Sequence, residues 1–385
     1  MNHPRLSLSI ANFFGAGHYF LFIYVVAPYL SELMPEDSVG LVISFGALLT
    51  LLAFPFMPRI TARFGPRKTA MVLAGLQAFA VLWLSGEPSV VPAVLMVAIA
   101  AAISPLIAFQ LDLLLEATMR EGTDTGRVRS AFMTAGSLAL VLTPIIIGVL
   151  LATTDAYGRV FAVAAAALLP FIGILLIAKL PYAPSLSLSD IRAAAGCVLK
   201  DPDLAAITIA GFVLQFFYHL AALYIPLYLH VALDIPWSDL GWMFALMLIP
   251  FVLLEYPASW LADTKLGDQE MMGLGFLLTG SAFATLAFVT VGSALVAITV
   301  ILILSRIGAA VAEAMVEGHF FRQVSERDLH TITIFRMMRP VGALTAPIVG
   351  SMLLAVDGFS ILFVVSGMLI AGVGVTASLL IQDVR

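Results

Sequence analysis

The chain has 385 residues, of which 61% are hydrophobic and 11% charged, with a formal net charge of −5 and a mean hydropathy of +1.06. A water-soluble fold of this size cannot hide that much apolar surface. The negative balance excludes a broadly basic nucleic-acid binder, and the single cysteine, Cys197, excludes an internal disulfide or a cysteine-rich metal site.

Runs of about 20 apolar residues recur along the whole length, which is the pattern of an all-α polytopic membrane protein. Twelve spans are expected. Span 1 (8–33) follows a single cation and no small-residue cleavage site, so it reads as a retained first helix rather than a signal peptide. It carries Asn12, His18, Tyr19 and Tyr24. Span 2 (38–61) leads into the loop ARFGPRK, which contains Arg63, and span 3 covers 69–85. Span 4 (89–118) holds Gln110 and the stretch LDLLLE, with Asp112 and Glu116 four apart on one face. Span 5 (125–152) opens on Arg127 and Arg129 and contains LTPIIIG, and span 6 covers 158–180. The Pro- and Ser-rich segment 181–203, with room for a short surface helix after Ser189, is the longest connection. It divides the chain into a six-helix bundle (1–180), a linker (181–203) and a second six-helix bundle (204–385). Span 7 (204–231) carries Gln215, Tyr218, His219 and Tyr224, and span 8 (237–262) carries Glu255 and runs into Asp263. Span 9 covers 270–291. Span 10 (294–319) holds Arg306, Glu313 and Glu317, span 11 (328–355) holds Arg336 and Arg339, and span 12 covers 358–381.

With the N-terminus in the cytoplasm, fifteen of the 19 cations fall in cytoplasmic segments, one in an outer loop and three inside spans. That asymmetry places both termini in the cytoplasm, and a bacterial inner (plasma) membrane is the expected location. A shift of 201 residues then lays Asp112 on Glu313, Glu116 on Glu317 and Ser104 on Ser305, so LDLLLE has a twin in AEAMVE. ARFGPRK falls on ADTKLGDQE, and LTPIIIG falls on TAPIVG at a shift of 202–203. Four matches at nearly one offset indicate duplication of a six-span unit, the construction many secondary transporters use, with the substrate site between repeats.

Over essentially its full length the chain resembles the major facilitator superfamily. The resemblance rests on the 6+6 spans, the central linker and the loop between spans 2 and 3, where the family motif has the form Gly-x-x-x-Asp-Arg-x-Gly-Arg-Arg/Lys. In PRITARFGPRK, Arg63, Gly65, Arg67 and Lys68 match, whereas Pro58 replaces the first Gly and Ala62 the Asp. The second half offers SWLADTKLG, which keeps an acid at Asp263. In the family the Asp helps hold the halves together, so Ala62 removes that latch from the first half while Asp263 retains it in the second. The antiporter-associated Gly-Pro pair of span 5 is Thr143-Pro144 here. The resemblance implies a central cavity lined mainly by spans 1, 4, 7 and 10 that opens to alternate faces.

A charge at mid-bilayer costs roughly 2.5–3.5 kcal/mol on insertion scales, so each needs a partner, water or a task. Across the turns of the antiparallel hairpins, Glu116 is level with Arg127 and Arg129, and Glu313 with Arg336, with Arg339 one turn deeper. Glu116 and Glu317 read mainly as members of an ion-pair network with these arginines. Asp112 and Glu313 are the candidates for proton handling, because opening a cavity alters the balance between desolvation and a nearby cation. His18 and His219 are further proton candidates. Arg306 is equally suited to a cross-helix acceptor or to a polar or anionic substrate group, and Glu255 reads as a partner to an Arg. Asn12, Tyr19, Tyr24, Gln110, Gln215, Tyr218 and Tyr224 either line a cavity for an amphipathic ligand or hydrogen-bond between helices.

No Walker motif, HExxH pair or GxSxG turn is present, and no span carries a line of acids suited to a divalent metal. The expectation is a monomeric, non-enzymatic secondary transporter without a cofactor. It moves a small organic solute by alternating access coupled to protons, leaning to efflux of an amphipathic or aromatic compound. The alternatives are an uptake symporter or uniporter for a small organic anion or metabolite, and a non-transporting membrane sensor or assembly factor with a transporter fold.

Overall fold

The computed structural model describes residues 3–118, 125–178, 180, 196, 198, 200–254, 257, 258, 261, 262, 266–324 and 329–382, with backbone alone at 3, 125–130, 329, 330 and 333. The described residues are helical throughout the apolar segments and include no strand. The helices are α1 (His3–Ser31), α2 (Glu36–Ala53), α3 (Pro66–Leu84), α4 (Val90–Thr118), α5 (Thr125–Leu150), α6 (Tyr157–Ile177), α7 (Pro202–Pro226), α8 (Trp237–Leu253), α9 (Asp268–Thr285), α10 (Leu295–Gln323), α11 (Leu329–Arg336) and α12 (Met338–Leu380).

Ten stretches among the described residues are long and apolar enough to cross a membrane, and α8 is a shorter apolar helix. The last stretch, Ile334–Leu380, is two spans in one. Non-helical backbone at Asp357 and Gly358, with Gly358 at φ +67°, folds α12 back on itself where the expected spans 11 and 12 meet. Twelve spans result among the described residues. Two details depart from a plain helix count. The second span continues through a 3₁₀ turn at Phe54–Phe56 into Met57–Phe64. The seventh loosens after Pro226 into a π-type turn at Leu227–Ala232.

The chain forms two compact units. The first comprises Met1–Leu188 with Ile235–Ala245, and the second Ser189–Asp234 with Leu246–Arg385. In the first unit α1 packs on α4, α5 and α6, and α4 packs on α2 and α3. Its apolar centre includes Leu8, Ile107, Leu111, Phe132, Leu168 and Phe171. Arg5 and Arg67 cap helix C-termini here. Arg5 donates to the Thr118 carbonyl at 3.1 and 3.3 Å, and Arg67 donates to the Leu176 carbonyl. Cations at these ends answer free carbonyls and complement the helix dipole.

In the second unit α12 packs on α7 and α9, and α9 on α10. Small residues permit close backbone approach: a Cβ added to Gly280 of α9 would collide with the Gly367 carbonyl oxygen of α12. In a bilayer, where the hydrophobic effect does not drive helices together, such contacts supply the dispersion energy of association. Lipid-compatible surface remains on both units, with Leu52, Val149, Ile177, Val296 and Leu379 among the exposed apolar side chains.

Candidate functional site

Polar residues inside the second unit converge on α10. This helix is 29 residues long, matching α4, its counterpart across the repeat. Glu313 and Glu317 lie one turn apart on the same face. Together with Gln215 of α7 and Arg336 and Arg339 of α11 and α12, they line one small cavity, closed on its apolar side by Phe335. Glu313 is half-buried, and its Oε2 accepts a hydrogen bond from the Tyr218 hydroxyl at 2.8 Å. The Tyr218 ring is held edge-on by Phe251 of α8. His219 donates from Nδ1 to the Gln215 carbonyl one turn earlier at 2.8 Å, which leaves its Nε2 available for a second bond. Two carboxylates and two guanidiniums thus line one small cavity, and the Tyr218 phenol bonds one of the carboxylates.

Arg306 lies two turns before Glu313 on α10 and is 3% exposed, with its guanidinium 4.8 Å from the Phe217 ring centroid. A planar cation over an aromatic face is a stabilised arrangement even where water is scarce. Tyr224 is fully buried, and its hydroxyl donates to the Pro347 carbonyl at 2.8 Å, the oxygen next to a proline-interrupted turn.

In the first unit the corresponding residues are tied into helix–helix hydrogen bonds. Asn12 donates to the Phe132 carbonyl at 2.9 Å. His18 is buried; its Nδ1 meets the Ala164 carbonyl at 2.9 Å, and its Nε2 meets the Gln77 amide nitrogen at 3.0 Å. The carbonyl can only accept, so Nδ1 carries the hydrogen and Nε2 is the acceptor for Gln77. Gln110 is fully buried against the Thr61 hydroxyl. Tyr24 stacks on Phe244, and Tyr19 meets Phe20 edge-on. Asp112 is half-buried on α4 and Glu116 is exposed, as is Arg63, whose guanidinium lies over the Phe64 ring at 5.4 Å. Glu255 and Asp263 lie outside the described residues, as do the side chains of Arg127 and Arg129 and the surface helix expected after Ser189.

One cluster is not apparent from the sequence pattern alone. His319 of α10 is fully buried between Asp203 at the start of α7 and Asp268 at the start of α9, at 3.2 and 3.1 Å. Arg322 also bonds Asp268. The repeat offset contains the signal: a shift of 201 lays Arg67 on Asp268 and Thr118 on His319. Where the first unit joins helix ends by a cation on a carbonyl, the second uses side chain on side chain.

No curated protein matches this sequence. Among solved structures, the nucleoside transporter NupG aligns over 98% of both chains at a TM-score of 0.75 and 15% identity. A point mutant of that transporter aligns over the same shares at 0.73 and 16%. Likeness at that identity carries the fold alone. The family model described as Major Facilitator Superfamily matches residues 8–240 and 207–385. With twelve spans in place and both halves of its sequence matched, the chain belongs to the major facilitator superfamily.

Proposed function

We propose that the chain is a proton-coupled secondary transporter for a small organic solute of aromatic or amphipathic character, working by alternating access in the direction of export, as a monomer without a catalytic step. The observation that carries this reading is Glu313. It is a half-buried carboxylate in a membrane-spanning helix, hydrogen-bonded by Tyr218 and sharing a cavity with Arg336 and Arg339. A carboxylate kept in an apolar span at a cost of a few kcal/mol has a task. Asp112 occupies the equivalent place in α4 and is the second proton candidate. The cation distribution favours cytoplasmic termini, with a bacterial inner membrane as the setting.

Arg336 and Arg339 hold the ionised form of Glu313, while a proton releases them. That exchange is the two-state element that coupling requires. Gln215 and the open nitrogen of His219 are the polar handles we assign to the solute in the second unit, and Arg306 takes a structural role on Phe217. A second reading, uptake of a nucleoside-like solute, draws support from the NupG fold. A nucleoside presents an aromatic base and a hydroxyl-rich sugar, which suit aromatic rings interleaved with amides.

Flux in proteoliposomes tests both readings with ethidium as the amphipathic probe and radiolabelled uridine as the nucleoside probe, each with and without an imposed pH gradient. Gradient-driven movement of ethidium supports the first reading, and of uridine the second. Movement of either probe that is unchanged when the gradient is dissipated removes proton coupling.

A further inference from the structure

The cluster around His319 has no part in the Glu313 cavity, and its hydrogen-bond pattern is specific. Nδ1 of the ring faces Asp268 Oδ2 at 3.1 Å, and Nε2 faces Asp203 Oδ2 at 3.2 Å. Carboxylates only accept, so two such contacts need two hydrogens, and a neutral imidazole supplies one. Both contacts are hydrogen bonds at once only when the cluster holds one proton more than two ionised carboxylates and a neutral ring carry. Arg322 bonds Asp268 as well, so with the ring protonated two acids face one imidazolium and one guanidinium in a site where His319 is fully buried.

Two further contacts give this proton a consequence. The Gln323 amide nitrogen, one turn further along α10, lies 3.1 Å from the same Nε2. An amide nitrogen only donates, so this contact is a hydrogen bond only when Nε2 carries no hydrogen, and Gln323 competes with Asp203 for that atom. The other oxygen of Asp203 accepts the backbone N–H of Gln382, beyond the end of α12, at 2.8 Å. Asp203 thus joins the chain beyond α12 to α7, and His319 joins both to α9 and α10.

We propose that Asp203, His319 and Asp268 form a proton-binding latch. With the proton bound, Nε2–H holds Asp203 and the helix ends stay joined. With the proton gone, Gln323 takes over Nε2, the bare carboxylate of Asp203 is repelled from the ring's lone pair, and the start of α7 is released together with Gln382. The pair Asp268–Arg322 persists in both states. The cation distribution puts these helix ends on the cytoplasmic face, so the latch reads the pH of that compartment. This inference depends neither on Glu313 nor on the identity of the solute.

Thermal unfolding of the purified full-length protein in detergent, followed from pH 5 to pH 9, tests it with His319→Gln, Gln323→Leu and, as a separate control, Glu313→Gln. A latch protonated in the folded state stabilises at low pH and is lost as pH rises. The melting temperature of the unaltered protein therefore steps down with rising pH. His319→Gln removes that step, whereas Glu313→Gln keeps it. Gln323→Leu withdraws the partner of the proton-free ring, so the midpoint of the step moves up by about half to one pH unit, one net hydrogen bond expressed as a protonation shift. Absence of the step in the unaltered protein, its persistence in His319→Gln, or an unmoved or lowered midpoint in Gln323→Leu overturns the proposal. If His319→Gln fails to fold, the midpoint in Gln323→Leu decides. Failure of the coupling reading at Glu313 leaves all of these outcomes unchanged.

Discussion

Replacing Tyr218 by Phe removes one oxygen atom and keeps the ring that Phe251 supports. What is lost is the 2.8 Å hydrogen bond into Glu313 Oε2. A hydrogen bond to a charged group contributes about 1.5–3 kcal/mol. Glu313 is only half-buried, so the lower part of that range applies, and about 1.4 kcal/mol corresponds to a factor of about ten. The pH profile of gradient-driven flux should therefore change shape, with rates differing by up to about tenfold where the two profiles diverge most. The maximal rate should change less, because no charged group has been removed. The assay is solute flux in proteoliposomes across a pH series at a fixed gradient, comparing Tyr218→Phe with the unaltered protein. Superimposable profiles would refute the placement of Glu313 as the titrating group under Tyr218. A uniform loss of rate at every pH would instead put Tyr218 in the solute path.

Gly280→Ala forces a methyl against the Gly367 carbonyl, whereas Gly75→Ala meets nothing within 4 Å. The first substitution should lower the detergent melting temperature by several degrees, since overpacking costs about 1–3 kcal/mol, and the second should leave it within a degree or so. Tyr224→Phe removes the hydroxyl that meets the Pro347 carbonyl and Ser351 and should cost roughly 1 kcal/mol in the same assay. Because Tyr224 is buried in the α7–α12 contact, flux per folded molecule should hold. A selective loss of flux would return Tyr224 to the solute pathway.

The fold is legible in the sequence because hydropathy and the repeat are long-range averages. Twelve apolar runs and the break at Asp357–Gly358 need only composition and a glycine. Side-chain partners depend on helix register, which composition does not carry. Depth along the hairpin brings Glu313 level with Arg336, and the two share a cavity, but nothing in the sequence indicates that Tyr218 reaches Glu313 from α7. Asn12 and Gln110 read equally as cavity residues or as links between helices, because an amide in a span has two destinations, solute or neighbouring helix. Here they bond the Phe132 carbonyl and Thr61. The latch is hidden for another reason. Asp203, Asp268 and His319 each stand at a helix end, where a polar residue is ordinarily explained by water, and only their meeting in space sets them apart.

Glu313→Gln separates coupling from binding most directly. The amide still occupies the site and still accepts from Tyr218, but it can neither gain nor lose a proton. Proteoliposomes carrying this variant should lose solute accumulation driven by a pH gradient, while exchange of labelled for unlabelled solute at equal pH on both sides continues near the unaltered rate. Accumulation that persists under the gradient would contradict the assignment of Glu313 as the proton carrier.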